Sequence, residues 1–239
     1  MAYDFLGLVN DVNKRLNEVE LDSENFADAV GFYSTAKDAV NSAINQINFL
    51  QHEWPFNHVT QEETVTAGVT RYTFPSDAKT VDMDTFRIKK SATLNNDTSR
   101  LYILSYEDYL DKFVDQEYNT DATSKVPTHV FRAPDMSFGL VPVPDKAYTV
   151  VYEYYRLPVD LQAYSDVPTI PEQFRNIIID GAMHYAYLFR GNTQDATLMQ
   201  QKFMEGINRM RTIYINRTDY VRGTMIERSP TVSNYLRVN

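Results

Sequence analysis

Near the start of the chain, apolar residues recur at alternating spacings of four and three: Phe5, Val9, Val12, Leu16 and Val19 fall on one stripe, with Lys14 and Arg15 opposite. That period predicts an amphipathic helix that needs a partner. Asp22 and Ser23 offer caps. Phe26, Val30, Tyr33, Val40, Ile44 and Ile47 continue in register, predicting a longer helix over about 25–51 with Lys37 interrupting its seam. Trp54 and Pro55 end it, because the residue before a proline is pushed out of the helical region. The two segments read as a helical hairpin.

The period then shortens. Runs rich in β-branched and aromatic residues at 59–66, 70–74, 85–89 and 101–104 are separated by Gly68, by Pro75 with Ser76, and by the polar stretch 95–99. They predict antiparallel strands. Ser105 with Asp108 three residues on predicts a short helix to about 113, followed by a polar loop over 116–125. Strands resume at 129–132, 138–141 and 147–155, with Pro144 and Asp145 expected to turn the last two into a hairpin. In the final strand Tyr148, Val150, Tyr152 and Tyr154 share one face, and Thr149, Val151, Glu153 and Tyr155 the other. Both faces are part apolar, so each is expected to meet something.

Beyond an extended stretch marked by Pro158 and Pro168, Pro171 and Glu172 open a third helix. Phe174, Ile177, Ile178, Ile179, Ala182, Tyr185, Ala186, Leu188 and Phe189 cover most of its circumference, leaving a narrow polar stripe of Gln173, Asn176, Asp180 and His184. A helix apolar nearly all round belongs at the centre of a fold. Gly191 closes it, Asn192 with Asp195 caps a fourth, and Ala196, Met199, Phe203, Ile207, Met210 and Tyr214 form the fourth helix's stripe. The remainder, 217–239, has weak periodicity and four arginines against two acids, and reads as an arm.

Nine of the ten prolines lie between Pro55 and Pro171, so the helix-permissive ends flank a proline-punctuated β middle. The expected architecture is α+β: a four-helix bundle from two terminal helical hairpins (1–55 plus 170–216), an inserted antiparallel β domain (56–169) and a C-terminal arm (217–239).

Composition narrows the function. A formal charge of -9 disfavours a fixed grip on nucleic acid, which needs clustered Lys and Arg, though not a surface past which DNA slides. The chain has no cysteine, hence no disulfide, thiolate zinc site or cysteine nucleophile. No stretch approaches a membrane span or a secretory signal, and the expectation is a soluble protein made inside a cell.

Candidate chemistry is thin. Asp180 and His184, one turn apart, could orient an imidazole or share a metal, but no second histidine stands at ligand spacing, and the stripe is better explained as the one face of a buried helix that meets solvent or a neighbouring subunit. Asp82 and Asp84 lack the glycine and glutamate of a calcium loop. With no nucleophile elbow and no clustered glycines, an enzyme is not expected, nor any cofactor. The tyrosine-rich strands admit a carbohydrate-binding or fibre-associated module as an alternative, although core packing is the stronger reading.

The order of parts carries more. The opening hairpin, the strand-rich insertion with Phe138-Gly139-Leu140-Val141-Pro142-Val143-Pro144 and then 152–158, the descent through Asp166-Val167-Pro168, and Ile170-Pro171-Glu172-Gln173-Phe174 opening a helix containing Gly181-Ala182 resemble the bacteriophage head-to-tail adaptor (connector) family, nearest the tail tubular protein A group. The resemblance implies a structural virion protein of the neck, made in the host cytoplasm. It would form a ring, usually of twelve copies, under the portal, joined to the tail nozzle and fibres, with genomic DNA passing through its channel unbound. By the same analogy Arg217, Arg222, Arg228, Tyr235 and Arg237 of the arm are expected to engage the portal, the loops around Asn95 and Asn119 to face the tail, and Ile179, Ala182, Tyr185 and Phe189 to form the subunit interface.

Overall fold

The computed structural model describes residues 2–89, 98–118 and 124–215. Helix α1, Phe5–Arg15, starts at Asp4, whose carboxylate accepts the Gly7 N–H at 2.7 Å. Two more of its unpaired first-turn donors are satisfied from far along the chain: Phe5 N–H by the Asp166 carbonyl at 2.8 Å and Leu6 N–H by that of Tyr164 at 3.0 Å.

Helix α2 spans Phe32–Leu50, seven residues shorter at its start than the periodicity predicts. Its N-cap, Gly31, sits at φ 63°, which breaks the helical path. Residues 17–31 form a bonded turn instead. The Asn10 amide clamps both backbone groups of Leu21 at 2.8 Å, and the Asp22 carboxylate caps the N–H groups of Glu24 and Asn25. Phe26 still reaches the core, edge-on to Phe5, because a turn can aim one side chain inward as well as a helix can. Lys37 explains its place in the apolar seam: its ammonium lies 4.6 Å over the Phe26 ring and donates to the Phe26 carbonyl. Val19 and Val30, expected on the buried stripes, are exposed.

Trp54, fully buried, donates Nε1–H to the Ile47 carbonyl, and a 3-10 turn over Pro55–Asn57 leads into the strands. These are β1 (His58–Val65), β2 (Arg71–Thr73), β3 (Ala78–Lys89), β4 (Thr98–Arg100) and β5 (Tyr102–Leu104). After the helices α3 (Tyr106–Lys112) and α4 (Val114–Tyr118) come β6 (His129–Arg132), β7 (Ser137–Val141) and β8 (Tyr148–Arg156). Ser105 caps α3 as its spacing to Asp108 predicts, accepting the Asp108 N–H at 3.0 Å. Helix α4 occupies the start of the segment expected to be a loop.

The strands form two four-stranded sheets, ordered β1-β8-β3-β4 and β2-β7-β6-β5. Two expectations fail here. The expected hairpin between the last two strands does not form, because β7 has neighbours on both sides in its own sheet and β8 has them in the other; Pro144 and Asp145 carry the chain between sheets. Nor are all pairs antiparallel: β5 runs parallel to β6, which the helical crossover through α3 and α4 permits. The single strand expected at 101–104 switches sheets at buried Leu101, whose N–H bonds Phe86 while the next N–H bonds Thr128.

The two sheets enclose one aromatic core. Phe86 stacks on Tyr152 at 4.5 Å, and Phe138 from the second sheet meets both. The opposite face of the second sheet is covered by α3, where Tyr109 stacks on Phe131 at 3.8 Å. Gly139 beside it cannot be anything larger, since an added Cβ would lie 2.0 Å from the Phe131 ring. Under this layer Glu117 accepts hydrogen bonds from Arg71 and from the Tyr109 hydroxyl.

A 3-10 turn, Glu172–Phe174, precedes helix α5, Arg175–Phe189, and α6 follows over Thr193–Tyr214, capped by Asn192 through the Asp195 N–H. Helix α5 packs against α1, α2 and α6. At Gly181 the approach is closest: a Cβ there would stand 2.7 Å from Phe203 of α6 and 2.9 Å from the Ala43 methyl of α2. Ion pairs join the two ends of the chain, Arg175 with Asp11 at 2.7 Å and Arg15 with Asp180 at 2.8 Å.

One feature of the helical core is under-satisfied. Asn13 is fully buried, and neither its amide nitrogen nor its oxygen has a hydrogen-bond partner. Such a group carries a desolvation cost without return, so Asn13→Leu, which keeps the branch at Cγ but is bulkier, is expected to raise unfolding free energy by about 1 kcal/mol in urea titrations; a loss in Asn13→Leu and in the smaller Asn13→Ala alike would show that the amide is satisfied in solution. The tyrosines give a second expectation. Burial raises the hydroxyl pKa of Tyr3, Tyr109, Tyr152 and Tyr154 above the ordinary 10.0, with nearby Glu172, Glu117, Glu63 and Asp77 adding to it in turn. Below pH 10 these groups are protonated in both states. Above it the unfolded chain ionises first, so stability is lost as pH rises from 10 toward the folded values. Melting temperature is expected to be level from pH 8 to 9.5 and to fall between pH 10 and 11, tracked with phenolate absorbance.

Candidate functional site

The sequence-level catalytic pair dissolves in the fold. Asp180 binds the Arg15 guanidinium, which also reaches the Asn176 side-chain oxygen at 3.4 Å, and His184 Nδ1 lies 2.9 Å from the Ala196 carbonyl of α6. Gln173 donates to the Tyr214 hydroxyl at 3.1 Å. The polar stripe of α5 therefore holds α1 and α6 in place. Asp82 belongs to a turn inside β3: it accepts the Asp84 N–H at 3.0 Å, and Asp84 pairs with Arg100 at 2.7 Å. Among the described residues no group of three acids or histidines is arranged to hold a metal.

Nor do the strand tyrosines form a sugar platform. Tyr148, Tyr152 and Tyr154 are buried, and their hydroxyls donate to Asp145 at 2.7 Å, Glu63 at 3.2 Å and Asp77 at 3.1 Å. The opposite face of β8 is only half covered, and there Tyr155 meets the His58 ring at 5.7 Å. In this fold the aromatic richness is chiefly core, with Tyr102 on β5 as an exposed exception.

What the surface does offer is apolar area outside the cores. The expected interface residues divide here. Ile179 and Ala182 are sealed inside the chain's own helical core and present nothing to a neighbour. Tyr185 is half-buried, its hydroxyl donating to Gln46 at 2.8 Å. Phe189, 59% exposed, stands at the end of α5 beside Phe32, over whose ring the Arg190 guanidinium lies at 4.4 Å. Arg217, Arg222, Arg228, Tyr235 and Arg237 lie outside the described residues, as do Asn95 and Asn119.

Two concave surfaces were missed by the periodicity argument. The first, of about 300 Å³, is formed by Ile44 and the 157–169 segment, which exposes Leu157, Val159 and Val167. Despite lacking secondary structure this segment is held firmly. The Asn41 amide clamps both backbone groups of Leu161 at 3.0 Å, Asn45 donates to Asp160 at 2.8 Å, and Asp166 caps its own turn. Apolar residues beside Pro158 and Pro168, with no strand to bury them, were the available signal. The second, of about 450 Å³, runs between α5 and α6 over Phe174, Ile177, Gly206 and Ile213, with Lys202 and Arg209 at its edge. Its signal was a glycine in mid-helix, where one costs stability unless packing requires it.

The molecule thus has packed cores and apolar surface left over outside them, of the kind that marks contact sites. No curated protein matches its sequence. A family profile described as SU10 adaptor protein does, over residues 3–228, nearly the whole chain. The chain belongs to the SU10 adaptor protein family, and is a structural adaptor of phage particles.

Proposed function

We propose that the chain is a head-to-tail connector of the virion neck, most like the tail tubular protein A group, which assembles as a ring of twelve copies beneath the portal and joins it to the tail nozzle and fibres. The observation that carries this reading is the family match across 3–228, covering both helical ends and the strands between them. The helical ends (1–55 with 170–216) act as one domain that builds the annulus. The strand-built domain (56–169) reaches toward the tail, and the arm (217–239) engages the portal through Arg217, Arg222, Arg228, Tyr235 and Arg237.

Exposed apolar groups away from the cores support self-association, since obligate interfaces of about 2,000 Å² or more draw on such surface. The acidic balance supports a conduit: a ring repeating a chain of net charge -9 repels DNA within a Debye length of about 10 Å, so the genome passes without sticking. No described helix is long and apolar enough to cross a membrane.

Electron microscopy of the purified chain mixed with its portal is expected to show a ring seated on the portal. A neck that lacks this subunit in images of the whole particle would reject the reading. Deleting 218–239 is expected to abolish co-sedimentation with the portal while leaving the melting transition in place; unchanged co-sedimentation would remove the arm from the portal contact.

A further inference from the structure

The two ends of α5 differ in shape and charge. At its carboxyl end Phe189 and Leu188 project into solvent, and Val30 is exposed two residues before Phe32, the ring Phe189 rests against. The adjoining 17–31 segment, tied to this end by Glu18 bonding Arg190, holds five carboxylates and no base. Arg190, Lys14 and Lys37 reach into this segment, the first two pairing with Glu18 and Glu20, so the knob is apolar in a setting that keeps two more acids than bases.

The amino-terminal end presents the groove between α5 and α6. Its floor is Phe174, Ile177 and Ile213, the last 65% exposed, and Gly206 lets the helices close up, since an added Cβ would lie 2.9 Å from Ile177. Its lining carries Lys202 and Arg209 against Asp180 and Glu205, and Asp180 is already paired with Arg15 of α1 at 2.8 Å, so the balance left at the groove is one cation in excess. In a chain of net charge -9, a surface with more cations than acids selects an acidic visitor.

Knob and groove cannot meet within one molecule, because about 18 Å of rigid helix lies between Ile177 in the groove and Phe189. Nor can two knobs pair, since that would oppose two acidic segments. We propose that copies of the chain associate head to tail, the Phe189 end of one entering the α5–α6 groove of the next. This deepens the ring reading above and rests on it. A contact between two different faces is heterologous, and repeats into a closed ring when its rotation closes.

The absence of cysteine from the sequence makes the test direct. Full-length Phe189→Cys and Ile213→Cys chains, both altered at exposed positions and checked for native melting, are treated with a short bis-maleimide. The doubly substituted chain is expected to give a ladder of cross-linked species, an equal mixture of the single variants to stop at dimers, and each single variant alone to remain monomeric. Dimers from Phe189→Cys alone would overturn the proposal in favour of a symmetric contact. No cross-links while the unaltered chain forms rings by electron microscopy would overturn this pairing and leave the ring standing. No cross-links and no rings, with or without the portal, would end both.

Discussion

Helix α5 has to be covered from three sides, and no sequence neighbour can supply all of them. Its own hairpin partner α6 covers one. The others fall to α1 and α2, which lie on the far side of the β section in sequence. This requirement brings the ends of the chain together. Gly181 and Ala43 give the closeness, while Arg175–Asp11 and Arg15–Asp180 fix how α1 lies along α5. The first-turn donors of α1 are satisfied by Tyr164 and Asp166, so even the start of the first helix depends on the segment that leads into α5. Burial drives the arrangement, and the partly exposed ion pairs select its register, since pairs of that kind add little energy of their own.

The joint between helices and sheets rests on a second constraint, the unpaired carbonyls at the end of α2. Lys79 of β3 donates to the carbonyls of Asn48 and Gln51, and Arg211 of α6 to that of Leu50. Two cations from separate parts of the chain thus meet the negative end of one helix dipole. Burial lowers the pKa of the Lys79 ammonium, the mark of a cation drawn out of water to reach those carbonyls. Close by, Asn57 donates to Asn48 and accepts from Thr169 at 3.1 Å, so both crossings between helices and strands are tied to the same helix end.

Helical periodicity was legible wherever packing decided the structure. Phe5, Val9, Val12 and Leu16 are buried as their spacing predicts, and so are Ala196, Phe203, Ile207 and Met210. Caps at Ser105 and Asn192 were readable because the side chain and the N–H it satisfies are three residues apart. What failed was non-local. Whether β7 pairs with β8 or the two sit in separate sheets depends on partners elsewhere in the chain, and a turn dipeptide such as Pro144-Asp145 fits either. The start of α2 failed for another reason: Phe26 is in helical register with Val40 and Ile44, but Gly31 adopts a positive φ and a bonded turn delivers the same ring to the core.

The same distinction explains why the exposed apolar surface of α5 was only partly legible. Along a helix apolar on nearly every side, period alone marks Ile179, Ala182, Tyr185 and Phe189 as equivalent; the crossing helices decide which of them reaches solvent. The covering is densest at mid-helix, around Gly181, where α2 and α6 both approach within contact of a missing Cβ, so Ile179 and Ala182 vanish into the chain's own core. Toward its ends α5 outruns its cover, and surplus apolar surface remains at Phe189 in one direction and over Ile177 and Ile213 in the other. A helix saturated with apolar residues and covered only in its middle therefore leaves two unlike surfaces at its two ends. Unlike surfaces on one rigid body permit a repeating contact between copies, which a single self-complementary patch would stop at a dimer.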